Sequence, residues 1–362
     1  MNCPHCQAAL LRRERTGSVC SKCGRPFALD PRLHGRGMHD TRVRRIAEKA
    51  TDAGRRKITL TQLGYLVRTS NPTWAASPES GRPPWIGRSV AAVLVVALVV
   101  LGVLVRDSPH ALLIWWAGAG VAAVGYAVAR GKRYQPARRA GGHVVPSPEH
   151  FRTIMRGRWT QVYEGLPPGV VDDLAYREPR DGGGPTRRST ASVALLCPDP
   201  AVRVFLSAND VPRRLNLRLA AERSDLPGDG PVVVLHDASA RGYQLVADVR
   251  ADRPGQVVVD AGLPVRAALL NAHAVTLYEE PPARLRSEPS EWPDWLRRMA
   301  VLAPAEAEWL TQGRTSPLAA VPPALLESAV ERAVAEARAA RDPERRKAAA
   351  VGFMSWPRTG GE

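Results

Sequence analysis

Cys3, Cys6, Cys20 and Cys23 form a C-x2-C-x13-C-x2-C array at the start of a 362-residue chain. Four thiolates arranged in two pairs suit a single metal ion. Zinc takes four sulfur or nitrogen donors in a tetrahedron, and each C-x2-C turn delivers two sulfurs from one tight loop. Four sulfurs leave no open coordination position, so such an ion would fold the module without activating water. In the first turn, Cys3-Pro4-His5-Cys6, proline fixes one φ angle; the second, Cys20-Ser21-Lys22-Cys23, is followed by Gly24, which reaches positive φ without strain. Two disulfides or an iron site are the alternatives. His5 can replace a cysteine as ligand, although a solvent-facing place suits it better.

The array resembles the zinc-ribbon and rubredoxin-type knuckle over about the first 30 residues. The resemblance implies a ribbon across residues 1–36 with a structural zinc ion held by Cys3, Cys6, Cys20 and Cys23. The short central spacer implies a compact one.

Composition bounds the rest. The chain carries 51 Lys and Arg against 35 Asp and Glu, a formal charge of +16, with 44% hydrophobic and 24% charged residues, which is ordinary for folded protein. Only five of the basic residues are lysine, and a chain rich in Ala, Arg, Pro and Gly reflects GC-rich coding, so arginine counts by themselves name no partner. The fifth cysteine, Cys197, ends an apolar run and reads as a small buried hydrophobe. No basic stretch leading into an apolar core and a small-residue cleavage site opens the chain, which argues against a cleaved signal peptide.

Residues 89–105 and 111–129 contain no charged side chain. Each run approaches the roughly 20 residues with which a helix crosses a bilayer, so the expectation is a two-helix transmembrane hairpin. Arg82 and Arg88 precede the pair and Arg130, Lys132, Arg133, Arg138 and Arg139 follow it, whereas Arg106 alone lies between. The positive-inside rule then puts both ends in the cytoplasm of an inner-membrane protein, where thiols stay reduced. Ala119, Ala123 and Ala127 give the second helix a small-residue stripe suited to a homo-oligomer.

Between ribbon and hairpin, residues 37–69 read as a basic helical module and 70–88 as a linker. Asp40 can cap a helix from about Thr41 to Ala53, and a second helix follows Thr59 or Thr61 through Arg68. The stretch from Ile58 to Arg68 resembles the opening of a helix-turn-helix unit, but no recognition helix follows. Residues 1–88 hold 17 Lys and Arg against 6 Asp and Glu. Such charge suits anionic lipid or nucleic acid, and tethering beside a bilayer places lipid first; a protein partner for residues 1–69 is a further option.

A second linker, 130–148, leads to an α/β domain expected over 149–300. In its first helix, His150 to Glu164, Phe151, Ile154, Met155, Trp159 and Val162 share one face. Apolar runs at 192–197, 232–236 and 256–259 predict strands of a Rossmann-like, partly parallel sheet, with 274–278 as a further strand. Each of the three main runs ends near an aspartate: Asp199, Asp237 and Asp260. Strand carboxyl ends line the ligand crevice of open parallel sheets, so these residues, with His236 as an acid or base, are the catalytic candidates. Val232 to Gly242 resembles the second acidic motif of Toprim domains, with Ser239 where that motif carries an aspartate and only Asp199 as counterpart on the first strand. The simpler alternative is that Asp199 and Asp237 cap the helices after them. Residues 301–362 read as a helical extension, with an amphipathic helix over 323–341 that packs on the core.

The whole reads as a multidomain, membrane-anchored cytoplasmic protein that binds, senses or scaffolds, its ribbon zinc being structural. The alternative is a divergent Rossmann-like or Toprim-like metal-dependent hydrolase or nuclease acting at the membrane.

Overall fold

The computed structural model describes residues 1–34, 37–69, 75–76, 139–140, 144–177, 192–285 and 288–341. Two compact units divide the chain, 1–73 with 141–362, and 74–140. In the second unit the described residues form one antiparallel pairing, Ala75–Ala76 with Arg139–Ala140.

In the larger unit, helix α1 (Asp40–Ala50) leads to strand β1 (Ile58–Thr59) and helix α2 (Leu60–Val67). Thr59 and Gln62 close a capping box at the start of α2, each side chain bonding the other residue's backbone N–H. Helix α3 (Pro148–Ile154) runs on through a π turn, Met155–Trp159, and a last turn, Thr160–Tyr163. It buries four residues of the predicted face, Phe151, Ile154, Met155 and Trp159, against Val43, Ala47, Ile58 and Leu63, while Val162 is only half-buried. Strand β2 (Val170–Val171) pairs in parallel with β1, Ile58 opposite Val170. Segments from either side of residues 74–140 thus share one hydrophobic core.

The rest is built on a four-stranded, all-parallel sheet ordered β4-β3-β5-β6, with β3 Val193–Leu196, β4 Leu217–Ala220, β5 Val232–Val234 and β6 Val258–Asp260. Helix α4 (Pro200–Ala208) joins β3 to β4, and α5 (Ala240–Asp252) joins β5 to β6. Because β3 leads outward to β4 and β5 leads outward to β6 on the opposite side, the order of strand addition reverses between β3 and β5, which makes that gap the topological switch point. The central strands β3 and β5 are buried on both faces and therefore read as unbroken apolar runs. Leu195, Val233 and Val259 pack with Phe205 of α4 and with Leu326, Val330 and Val334 of α9 (Pro323–Arg341) on one side. Ala194, Leu196 and Val234 pack with Val246 and Val249 of α5 on the other.

A third cluster adjoins the sheet. Helices α6 (Val265–Leu270), α7 (Asp294–Leu302) and α8 (Pro304–Thr311) bury Val265, Leu296, Trp309 and Leu310. The strand expected at 274–278 forms at Leu277–Tyr278 (β7), yet it pairs antiparallel with Arg314–Thr315 (β8) and not with the main sheet.

The membrane expectations are corrected. Among the described residues no helix is long and apolar enough to cross a membrane. The longest, α9, has 19 residues but carries Glu327, Glu331, Arg332, Glu336, Arg338 and Arg341, so it is apolar along one stripe only. The expected spans, 89–105 and 111–129, lie outside the described residues. An uncharged run of span length does not by itself make a membrane-crossing helix. The fold class is mixed α/β with parallel sheets; the two-helix hairpin, the inner-membrane location and the cytoplasmic assignment of both ends are withdrawn with it.

Candidate metal centre

The two cysteine turns repeat each other residue for residue. In the first, the Cys3 N–H donates to Ala8 O (2.9 Å) and the Gln7 N–H to Cys3 O (3.0 Å); in the second, Cys20 N–H donates to Arg25 O (3.0 Å) and Gly24 N–H to Cys20 O (2.8 Å). Bridges Asn2–Ala9 and Val19–Pro26 close each loop. The turn ends in left-handed backbone both times, at Gln7 (φ 62°) and Gly24 (φ 68°). Backbone donors also point at sulfur: His5 N–H at Cys3 Sγ and Lys22 N–H at Cys20 Sγ, each 3.4 Å.

The four sulfurs converge. Cys3 Sγ lies 3.8 Å from Cys23 Sγ, Cys6 Sγ lies 3.9 Å from Cys20 Sγ, and all four lie within 4.8 Å of one another. These are free thiols, and the two short separations match the edge, about 3.8 Å, of a tetrahedron whose centre is about 2.3 Å from each sulfur. The cluster can hold one metal ion. Burial pushes the Cys3 thiol up to about 11. Burial also opposes ionisation at Cys20, but the N–H groups of Cys23 and Lys22 together with the Cys3 and Cys23 thiols outweigh it and bring that thiol down to about 7. A divalent cation supplies the positive charge that four neighbouring thiolates need.

His5 is no ligand: its Nε2 is 2.9 Å from Pro26 O, and its ring stacks on Tyr163 with centroids 5.8 Å apart. Tyr163 belongs to a set of contacts that seats the ribbon on the helices. Arg158 donates from Nε to Phe27 O (3.0 Å) and from Nη2 to Gly17 O (3.2 Å). Asp40 was expected as a helix cap, but His39 takes that position, its Nδ1 accepting from Arg42 N–H. The buried Asp40 carboxylate turns back to accept from the N–H groups of Ala28 (2.8 Å) and Leu29 (2.7 Å), and Tyr163 Oη donates to it as well.

The strand-end candidates are spoken for. Asp199 caps α4, accepting from the N–H groups of Ala201 (2.8 Å) and Val202 (3.2 Å), and burial raises its carboxyl. Asp237 caps nothing, since Ser239 is the cap of α5. Its Oδ1 accepts from Leu318 N–H at 2.6 Å, and burial with the nearby charge of Asp199 pushes it up to about 6. Asp260 Oδ1 faces His236 Nε2 (3.0 Å) and the Gly262 N–H (2.9 Å). Burial works against that charge, yet these contacts hold Asp260 below the usual range. His236 Nδ1 is 2.6 Å from Asp237 O, so both ring nitrogens are engaged.

Protein also fills the switch point. Tyr65 of α2 and Leu318 and Ala319 of the segment after β8 join the same buried cluster as Cys197 and Leu235 at the ends of β3 and β5. Burial, with the charges of Asp199 and Asp237, pushes the Tyr65 hydroxyl up to about 12. Cys197 is buried and its thiol is pushed up. Among the described residues the four cysteines are the one place where three or more His, Cys, Asp or Glu side chains gather ligand atoms. Arg158, Tyr163 and Leu318 carry no motif; their roles arise from contacts between residues more than 80 positions apart. No family model, no curated protein and no solved structure matches the chain.

Proposed function

We propose that this chain is a zinc-bearing binding protein whose ribbon, fixed by one structural zinc ion on Cys3, Cys6, Cys20 and Cys23, forms a rigid head with α1 and α3. The observation that carries the reading is the sulfur geometry, whose 3.8 and 3.9 Å edges suit zinc–thiolate bonds of about 2.3 Å. Binding is favoured over hydrolysis because each strand-end carboxylate already accepts from its own chain and the crevice is filled by Tyr65 and Leu318. The ligand class is a polyanion. The chain has a formal charge of +16, and Arg12, Arg13, Arg25 and Arg45 are exposed with no carboxylate partner among the described residues. With no membrane-spanning helix among the described residues, no tether favours anionic lipid over other polyanions.

Elemental analysis of the full chain purified under reducing conditions tests the metal. One zinc per chain, lost in a Cys3→Ser/Cys20→Ser variant, is the expected result. A metal-free, fully folded wild-type chain removes the proposal.

A further inference from the structure

The sheet sets two carboxylates beside each other at the switch point. Leu196 of β3 pairs with Val234 of β5, and the Leu235 N–H donates to Leu196 O at 2.8 Å. Continuing that register brings Asp199 opposite Asp237, both half-buried. What covers them brings no positive charge. Helix α2, Leu60–Val67, contains no charged side chain. Its Tyr65 packs in one cluster with Cys197 and Leu235, and the Tyr65 hydroxyl bonds neither carboxylate.

The charged groups around the pair are engaged elsewhere or share its sign. After β2, Asp173 adds a negative charge toward Asp199, and Arg152 of α3 donates to Asp173 (2.8 Å) and to Thr61. Arg203 of α4 donates to the carbonyls of Cys197 (2.7 Å) and Pro198 (2.8 Å). Glu279, which follows β7 and pairs with Arg241 at 2.7 Å, faces Asp237, and Glu149 of α3 faces Tyr65. His236 also faces Asp237, its ring nitrogens engaged by Asp260 and by the Asp237 carbonyl. Two carboxylates in one poorly solvated place do not both ionise at the ordinary aspartate value. Burial first, and neighbouring carboxylates after it, raise Asp199 and push Asp237 up to about 6.

We propose that Asp199 and Asp237 form a pH-operated latch: with a proton on the pair, α2 stays seated over the strand ends, and with both carboxylates ionised, α2 loosens and uncovers Cys197, His236 and the pair itself. The Leu318 N–H stays on Asp237 in either state, because an ionised carboxylate is the stronger acceptor, so α2 is the side that moves. A helix of 8 residues holds by tertiary packing and not alone, so unseating it opens its amides. In the loosened state the carboxylates regain water and titrate near the usual ~3.9. The seated state is therefore favoured in full below about pH 4 and loses that advantage as pH rises through about 6.

Hydrogen–deuterium exchange on the full zinc-loaded chain at about pH 5 and about pH 7.5 tests the latch, with rates corrected for the intrinsic pH dependence of amide exchange. Residues 60–67 should exchange through an opening of their own, ahead of β3 and β5, and that opening should be about tenfold more populated at the higher pH. Asp237→Asn keeps an acceptor for the Leu318 N–H and should reduce the pH effect to about threefold or less. Asp199→Asn/Asp237→Asn, which also keeps the cap of α4, should bring it within about twofold. Retained protection of β3 and β5 shows that each variant is folded. Equal protection of 60–67 at both pH values, exchange of 60–67 only together with β3 and β5, or an undiminished pH effect in the double variant overturns the proposal. The zinc and polyanion readings stand on other residues and are unaffected by that result.

Discussion

His236 occupies space that Gly262 leaves open: a Cβ on residue 262 would stand 2.1 Å from the imidazole Nε2. Gly242 presses from another side, where a Cβ would come within 2.3 Å of Nδ1. The ring is thus clamped at the end of β5, with Asp260 at the end of β6 holding its Nε2. Gly262→Ala should cost about 2–3 kcal/mol by overpacking, measured by urea denaturation, and adding His236→Ala should restore part of the loss. Full stability of Gly262→Ala would show that the clamp is loose.

Asp237 gives a pH signature. An unfolded aspartate titrates near 3.9, and burial lifts the folded group to about 6, so between those values the folded chain holds the proton more firmly. Its contribution to stability is complete below about pH 4 and is lost as pH rises through about 6. Asp237→Asn keeps an acceptor for Leu318 N–H and removes the buried charge. At pH 7 it should be about 1–2 kcal/mol more stable than wild type, with the gap closing near pH 4. A variant less stable at pH 7 refutes this. Asp260, held low by His236 and Gly262, works in the opposite sense: its contribution is present above the unfolded value and falls away on acidification.

Gln7 sits in the left-handed backbone that Gly24 occupies in the matching turn. A side chain there costs about 1–2 kcal/mol. Gln7→Gly should therefore slow zinc loss to a chelator, and Gly24→Ala should hasten it although no neighbouring atom obstructs the added methyl. Unchanged rates in both would mean that the turns are not strained.

Arg158 reaches from α3's continuation to carbonyls of Phe27 and Gly17. Removing a charged donor from such contacts costs about 1.5–3 kcal/mol. Arg158→Ala should raise amide exchange across residues 17–29 while leaving the strands β3 and β5 protected. Equal exchange in both regions would contradict a locally seated ribbon.

What the residues disclosed in advance, and what they hid, follows from the range of the forces. Cys3, Cys6, Cys20 and Cys23 are legible because the ligand spacing is itself the chemistry; Val232–Val234 is legible as an unbroken apolar run, and Pro323–Arg341 because one-sided burial imposes a helical period on it. Strand β4 escaped: Leu217-Arg218-Leu219-Ala220 is short and interrupted by an exposed arginine, and only its parallel pairing with Val193–Leu196 makes it a strand. Asp199 read correctly as a cap, because capping is local; Asp237 did not, because its partner Leu318 is 81 residues away. The apolar runs at 89–105 and 111–129 suggested spans that no described helix supports. The seating of the ribbon by Asp40, Arg158 and Tyr163 depends on contacts no pattern announces.

X-ray absorption at the zinc edge on the full reduced chain tests the central claim most directly. The account predicts a single shell of four sulfurs at about 2.3 Å with no nitrogen or oxygen neighbour. A shell containing nitrogen or oxygen, or a coordination number above four, would contradict it.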